Sequence, residues 1–313
     1  GRMVSMKVGL MLPVGSSETW GFADLRALAL VGEDVGLDSL WVADHFLHRT
    51  GGRTSGIHEA WTLLTAVAAL TTRVEVGTMV LAVPFRNPAL TAKMALELDE
   101  VSGGRLILGL GCGWHEPEFE AFGYPFDHRV TRFEEALQIL LPLLRGEEVT
   151  FAGRFHRVSD AVLIPGPVRE GGPPVLVAAA GPRMIELVAR YAHQYNSAWH
   201  GEPDQCETLH GRLKAVREAA GLEKRDPSTL TLTAGVVVRF NDLLDTRGGR
   251  DDPDGTGPAY LVEGSTSHIT DALAGYAGLG VEHLVVQLEP PSIEAVHRLG
   301  QIADAVRAQV NRE

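Results

Sequence analysis

The sequence predicts an α/β fold, arranged as a (β/α)8 TIM barrel. Short apolar runs recur about eight times along the 313 residues, and a segment with helical spacing of apolar residues follows most of them. Most of these runs are continuously apolar, which is typical of parallel strands covered on both faces. Strand and helix alternating over this length fit such a barrel, but a doubly wound parallel sheet alternates in the same way and stays an alternative at this point.

Eight predicted strands follow one another at the spacing of βα units. They are KVGLML (7–12), SLWVAD (39–44), VEVGTMVL (74–81), RLILGLG (105–111), PVLVAA (174–179), YNSAWH (195–200), LTLTAGVVVRF (230–240) and HLVVQL (283–288). Two of the helices between them have clear boundaries. The segment 22–36 ends at Gly36, which suits a C-cap, and the segment 88–104 begins at a proline and stops at a glycine pair.

Two stretches interrupt the repeat. Residues 145–174 are expected to form a hairpin around Ala152-Gly153 and then a connection rich in proline and glycine. Residues 241–267 are polar and rich in Gly, Pro and Asp, so they are predicted to be a long insertion loop, either a lid or a surface loop. Neither stretch has apolar sequence for a core of its own. Residues 3–313 are therefore predicted to be one domain, with residues 1–2 a cloning remnant.

Composition argues against several classes of function. The net charge of −12 disfavours electrostatic binding to nucleic acid or to an anionic membrane. No apolar run approaches the ~20 residues that cross a bilayer, and the N-terminal residues lack the apolar core of a signal peptide. Cys112 and Cys206 form neither a zinc spacing nor a disulfide framework. A cytoplasmic protein is therefore expected.

Polar residues follow the second predicted strand, at the end where barrel enzymes place their chemistry. Asp44 and His45 stand there, and an imidazole beside an acid is either a general acid/base or a structural residue. The turn GLGCGW (109–114) lets a flat ring or an anion approach the backbone. The turn AAAGPR (178–183) leaves free N–H groups at a helix N-terminus, a seat for phosphate to which Arg183 could add charge. Close helix–strand packing explains the second turn equally well, and the first turn lacks the spacing of a dinucleotide-binding fingerprint.

Several catalytic motifs are absent from the sequence. There is no Gly-x-Ser-x-Gly elbow and no Walker motif, and the histidines do not form a metal-ligand cluster. Glu116, Glu118 and Glu120 are predicted to be a solvated helix face. Without a metal or a nucleophile, redox chemistry on a bound organic cofactor is the favoured hypothesis.

The motifs, taken in order, resemble the bacterial-luciferase-like flavin and deazaflavin (F420) oxidoreductases. The similarity runs through MKVGLMLP (6–13), GLDSLWVADHF (36–46), and the ranges 59–114, 118–137, 173–196 and 278–287. This resemblance implies a (β/α)8 barrel that binds FMN or coenzyme F420 at the carboxyl ends of its strands. It also implies a homodimer.

The resemblance implies a set of site residues. His45 would lie beside the reactive face of the cofactor as the catalytic residue, and Met79-Val80 would be a non-proline cis peptide that supports the ring. The loop of the fourth strand would lie against the cofactor, and the turn of the fifth would hold its phosphate. The expected cofactor-binding residues, with Arg183 from the turn described above, are Asp44, Met79, Val80, Gly111, Cys112, Gly113, Ala180, Gly181 and Arg183.

Departures from the family pattern bear on the cofactor and the substrate. Cys112 stands where flavin luciferases have an arginine for the FMN phosphate, and Asp-His-Phe at 44–46 is more similar to the deazaflavin members, which favours F420 over FMN. Trp114 replaces the catalytic glutamate of the sugar-phosphate dehydrogenases, and Arg49 replaces their aromatic residue. These two replacements argue against a glucose-6-phosphate-type reaction.

The favoured function is an F420-dependent oxidoreductase that moves hydride between the deazaflavin and a small, apolar or weakly polar organic substrate. His45 would act as general acid/base, with Trp114, Trp199 and Phe46 as apolar walls. Two alternatives remain. One is an FMN-dependent monooxygenase that uses O2 and receives reduced flavin from a partner reductase. The other is a barrel that binds the cofactor without turnover.

Overall fold

The computed structural model describes residues 6–15, 20–244 and 260–312 of the chain. Its strands, in chain order, are Lys7–Met11 (β1), Ser39–Val42 (β2), Leu47–Thr50 (β3), Arg53–Gly56 (β4), Glu75–Thr78 (β5), Leu81–Ala82 (β6), Leu106–Gly111 (β7), Val149–Ala152 (β8), Arg157–Ala161 (β9), Val175–Ala178 (β10), Gln194–His200 (β11), Thr231–Arg239 (β12), Leu261–Glu263 (β13) and His283–Glu289 (β14). Its helices are Phe22–Asp34 (α1), Ala60–Leu70 (α2), Pro88–Ser102 (α3), Glu116–Phe122 (α4), Arg129–Leu144 (α5), Pro182–Tyr191 (α6), Glu207–Leu222 (α7), Thr266–Gly278 (α8) and Ile293–Val310 (α9).

Eight of the strands close into a parallel barrel. The order runs β10, β11, β12, β14, β1, β2, β5, β7, and a further parallel pairing of β7 with β10 closes the ring. Each of these strands overlaps one of the eight predicted runs. A doubly wound sheet has open edges, so the closure excludes that alternative and confirms the predicted barrel.

The helices cover the outside of the barrel along the apolar faces of the strands. Two predicted helix ends are confirmed: α3 starts at Pro88 and is capped by Gly103 in the left-handed conformation, with φ of 68°. Gly36 follows α1 with φ of 83°, a conformation that favours glycine. Among the described residues, no helix combines the length and the apolar character that a membrane crossing needs.

The insertions were predicted only in part. Strands β8 and β9 form the expected antiparallel hairpin around Gly153. The prediction of one long loop over 241–267 is wrong at its end, because β13 pairs in parallel with β12 and α8 begins at Thr266. Residues 245–259, like residues 1–2, lie outside the described ranges. A second hairpin, β3 with β4, was not predicted, since its residues are mostly polar and none of them is buried.

A buried histidine is hydrogen-bonded inside the barrel. His283 Nε2 lies 2.7 Å from Ser39 Oγ, which also accepts the Trp41 indole N–H at 2.7 Å. Apolar side chains from five barrel strands, and Met79 just after β5, also pack together inside the barrel: Met11, Trp41, Met79, Ile107, Leu176 and Val285. Burial, together with the charge of Lys7, lowers the pKa of His283 to about 3, although Asp38 opposes the shift. The interior of the barrel therefore holds a neutral imidazole.

We expect this imidazole to make the fold sensitive to mild acid. Below pH 6.5, the ordinary value, the unfolded chain takes up a proton at this histidine that the folded chain does not bind. The free energy of unfolding should therefore fall as the pH drops from 6.5 towards 3, by at most about 1.4 kcal/mol per pH unit. His200, whose pKa burial lowers to about 4, should act in the same direction.

Urea unfolding at pH 6.5 and pH 5.0 would measure this effect, since most carboxylates stay ionised across that interval. The variant His283→Gln, and independently His200→Asn, should lose less stability than the wild type between the two pH values. Equal losses in all three proteins would contradict the assignment.

Candidate active site

An imidazole and a carboxylate are paired at the carboxyl end of β2. His45 Nδ1 lies 2.8 Å from Glu118 Oε1, and the other carboxylate oxygen accepts the backbone N–H of Phe46 at 2.9 Å. A carboxylate can only accept hydrogen bonds, so the proton between the two groups resides on Nδ1. This arrangement leaves Nε2 as the nitrogen of His45 that can exchange a proton with a ligand.

Glu118 is the residue that the sequence analysis placed wrongly. The prediction of a solvated face holds for Glu116 and Glu120, but the side chain of Glu118 is only 1% exposed. Residues two apart in a helix point to nearly opposite sides, because each residue turns the helix by about 100°. Glu118 therefore points inward beside the buried Phe119. Helical phase is the signal that would have separated it from its neighbours.

Asp44 is buried beside His45 and is fully engaged with protein groups. Its carboxylate accepts two hydrogen bonds from Arg86, at 2.7 and 3.1 Å, and one from the Ala82 N–H at 2.9 Å. Arg86 also reaches Glu59 at 3.0 Å. Burial alone would lower the pKa of the Arg86 guanidinium, but the bonds and charge of Asp44 raise it overall. A contact of Asp44 with a cofactor stays a prediction.

The bend after the third barrel strand has the predicted geometry. The Met79–Val80 peptide bond is cis, as the family resemblance implied. Met79 packs in the apolar layer inside the barrel, and Val80 is partly buried against the same layer. A side chain at Gly111 would collide with Val80, so that glycine permits close packing between neighbouring strand ends. Support of a cofactor ring by Met79, Val80 and Gly111 stays a prediction.

The loop after β7 has an arginine beside it that the sequence analysis did not foresee. Gly113 has a φ of 74°, and a side chain there would meet the ring of Phe119, so the turn itself requires glycine. Cys112 is half-buried, and burial raises the pKa of its thiol in spite of the nearby Arg129. Arg129 donates to the Gly113 carbonyl and lies 4.0 Å from the centre of the Phe126 ring.

The turn after β10 presents an open helix N-terminus. Ala180, Gly181 and Pro182 are exposed, and Gly181 is the N-cap of α6 with no side-chain hydrogen bond to the helix. A helix N-terminus of this kind attracts anions. Arg183 is 52% exposed, but its guanidinium bonds to Glu134 at 2.8 Å and to Thr131 at 3.0 Å. Contact of Arg183, Ala180 and Gly181 with a phosphate stays a prediction.

The three predicted aromatic walls occupy different surroundings. Trp114 is 60% exposed and meets the ring of His45 edge-on, with 5.7 Å between the centroids. Trp199 packs against the apolar layer inside the barrel. Phe46 instead stacks on Phe85 at 4.4 Å, in an aromatic cluster beneath α4. Of the three side chains, Trp114 is the one in ring contact with the imidazole.

These residues can hold an anionic cofactor with a flat ring. The exposed N-terminus of α6 suits a phosphate, and the half-buried turn at Cys112 and Gly113 lies at the same end of the barrel. His45 stands on the same carboxyl-end face of the barrel. A (β/α)8 barrel with an imidazole–carboxylate pair at this face belongs to the class of barrel enzymes.

Comparison with known proteins identifies the family. The family model described as luciferase-like monooxygenase matches residues 6–243, and the chain belongs to this family. An "F420-dependent glucose-6-phosphate dehydrogenase" of Rhodococcus hoagii is 36% identical over 317 residues, covering 90% of this chain and 91% of that protein. A protein of the same name from Amycolatopsis mediterranei is 40% identical over 191 residues, but the match covers 58% of this chain and only 55% of that protein.

Solved structures share the fold at low sequence identity. An F420-dependent secondary alcohol dehydrogenase, solved with an F420-acetone adduct, has a TM-score of 0.79 and 18% identity, covering 96% of this chain and 99% of that one. A coenzyme F420-dependent tetrahydromethanopterin reductase from Methanopyrus kandleri has a TM-score of 0.76 and 19% identity, with coverages of 95% and 97%. These similarities establish the barrel architecture.

Proposed function

We propose that this chain is an F420-dependent oxidoreductase that transfers hydride between coenzyme F420 and a small organic substrate. The observation that carries the proposal is the family membership, together with a relative named as F420-dependent that matches over 91% of its length. The imidazole–carboxylate pair at the carboxyl end of β2 supports an enzyme over a passive carrier, because binding alone does not need a positioned proton donor or acceptor.

Each part of the site has a distinct task in this proposal. The N-terminus of α6 would hold the phosphate of the cofactor, and the bend at Met79-Val80 would support its ring. Bound F420 supplies the deazaflavin that accepts or donates hydride. His45 would move the substrate proton through Nε2, while Glu118 fixes the imidazole through Nδ1. Asp44, through its ion pair with Arg86, would make the protein surface beside His45 rigid.

Cofactor choice is testable by equilibrium binding. We expect F420 to bind with a Kd below about 100 μM and FMN to bind at least tenfold more weakly, measured by fluorescence titration of the purified chain. Tight FMN binding with no measurable F420 binding would overturn the cofactor assignment and would favour the FMN-dependent monooxygenase.

A charged substitution at the N-terminus of α6 tests, in the same binding assay, whether the phosphate of F420 binds there. A side chain at Gly181 meets no atom within 4 Å, so Gly181→Asp should fold normally while its carboxylate repels the phosphate. We expect it to weaken F420 binding on the order of tenfold. Gly166→Asp, at an equally open position away from α6, is the matched control. Equal affinities in the two variants would argue against the seat at α6.

We also propose a cytoplasmic homodimer that forms from a single-domain chain. Both cysteines are free thiols, as expected in a reducing compartment, and the family resemblance supports the dimer. A partner reductase would be required only if FMN were the cofactor.

A further inference from the structure

We propose that Trp114 selects the substrate, and that the substrate is an alcohol, or the matching aldehyde or ketone, that carries an apolar ring rather than a sugar phosphate. This inference rests on the proposed F420-dependent function. The proposed substrate differs from the one in the relatives' names, because both relatives are named as glucose-6-phosphate dehydrogenases.

Trp114 is a large apolar side chain left open to solvent next to the catalytic imidazole. Its indole is 60% exposed, while the residues on either side of it, Gly113 and His115, are half-buried and buried. The plane of the indole lies at 79° to that of His45. An exposed apolar ring at this place gains favourable contact area only when a ligand covers it.

Neighbouring rings support the indole on the protein side. His48 and His115 stack in parallel, with 4.6 Å between their centroids and 6° between their planes. Trp114 meets both of them edge-on, at 5.7 and 5.2 Å. The backbone N–H of Arg49 donates to His115 Nε2 at 3.0 Å, which ties this stack to β3. Trp114 therefore stands on an ordered aromatic base and offers its remaining surface to a ligand.

Three charged side chains near Trp114 and His45 are already bound to other protein groups. Glu118 is bound to His45, and Asp44 is bound to Arg86. Arg129 donates to a backbone carbonyl and stacks on Phe126. Among the described residues, Arg49 of β3 is an exposed cation near Trp114 that a phosphate ester could bind, although its Nε donates to Thr54 Oγ1 at 3.3 Å. The experiment therefore tests Arg49 alongside Trp114.

The proposed oxidation is balanced in atoms and electrons. In this oxidation the alcohol C–H bond would break, and bound F420 would supply the deazaflavin that accepts the hydride. The O–H bond breaks, its proton passes to His45 Nε2, and a carbonyl C=O bond forms. The ring of the substrate would lie against Trp114, which places the carbinol carbon beside His45. Reduction of the ketone is the same step in reverse.

The first experiment uses calorimetry to measure how tightly three probes bind to the F420-loaded protein. The probes are 1-phenylethanol, 2-butanol and glucose 6-phosphate. We expect 1-phenylethanol to bind at least tenfold more tightly than 2-butanol, a difference of about 1.4 kcal/mol. Glucose 6-phosphate should bind more weakly than 1-phenylethanol. Turnover of F420 with the three probes should follow the same order.

Variants assign the preference to the indole. Trp114→Ala should remove the tenfold preference and Trp114→Phe should keep most of it, with the Kd for F420 unchanged in both. Phe122→Ala is the control, since Phe122 is 52% exposed but contacts Phe46 rather than His45. Arg49→Ala should leave the affinity for 1-phenylethanol unchanged.

Three results would overturn the inference. They are efficient F420-dependent oxidation of glucose 6-phosphate that Arg49→Ala abolishes, an undiminished ring preference in Trp114→Ala, and no binding of 1-phenylethanol up to about 10 mM. Each can occur while F420 still binds, so each leaves the proposed function intact. Failure to bind F420 at all would remove the proposed function itself.

Discussion

Replacing His45 with alanine is expected to lower F420-dependent turnover by about 10²–10⁴-fold, the usual contribution of a positioned general acid or base. The substrate proton would then have no partner at the carboxyl end of β2, where His45 is the imidazole held by a buried carboxylate. The Kd for F420 should change by less than about threefold, because the substitution leaves the proposed phosphate seat at α6 unchanged. Steady-state kinetics and a binding titration on the same preparation would check both expectations.

His297→Ala is the matched control, because it removes an exposed imidazole from α9 on the outside of the barrel. Its turnover should equal that of the wild type. Unchanged turnover in His45→Ala would show that the catalytic role is assigned to the wrong residue. If the wild type binds F420 but neither protein turns over any tested substrate, the chain is a binding barrel rather than an enzyme.

Glu118→Gln is expected to lower kcat/KM by about 10–100-fold, the loss that is also typical when a carboxylate that orients a metal-bound histidine is removed. The amide cannot accept from both His45 Nδ1 and the Phe46 N–H, as the carboxylate does at 2.8 and 2.9 Å. One of the two donors is left facing an NH2 group, so the imidazole rotates or moves its proton to Nε2. The loss of negative charge also weakens stabilisation of the imidazolium that forms when His45 takes the substrate proton.

A structural role alone would not change the tautomer of His45, so nitrogen NMR of the labelled imidazole gives a second measurement. The wild-type spectrum should show a protonated Nδ1, and Glu118→Gln should shift the population towards protonated Nε2. Glu120→Gln, exposed on the same helix, should match the wild type in both assays. Wild-type kinetics in Glu118→Gln would rule out the positioning role.

The barrel was predictable because its strands are apolar on both faces. A strand such as VLVA at 175–178 must be buried on all sides, and eight such runs with helices between them leave few arrangements. The same logic placed Asp44 and His45 at the active end, since side chains that follow a barrel strand emerge there. Closure of the ring decided between the barrel and the open sheet.

The partners of the site residues were not predictable in the same way. Arg86 lies 42 residues from Asp44, and Glu118 lies 73 residues from His45, so no local pattern joins them. Both pairs form because the closed barrel brings the carboxyl ends of its strands together at one face, including those of β2 and β7, which have β5 between them. The hairpin of β3 and β4 was not predicted for another reason. Its residues cover no core, so they show no alternation of apolar and polar residues.

The ion pair between Asp44 and Arg86 makes the wall beside His45 preorganised. Three N–H donors already hold the Asp44 carboxylate in the folded chain. The carboxylate has therefore lost water and the Arg86 guanidinium is fixed before any ligand binds. Ordering a flexible side chain at the moment of association costs about 0.5–1.5 kcal/mol. A ring that docked here would meet a rigid surface, so its association free energy would lose nothing to rearrangement of this pair.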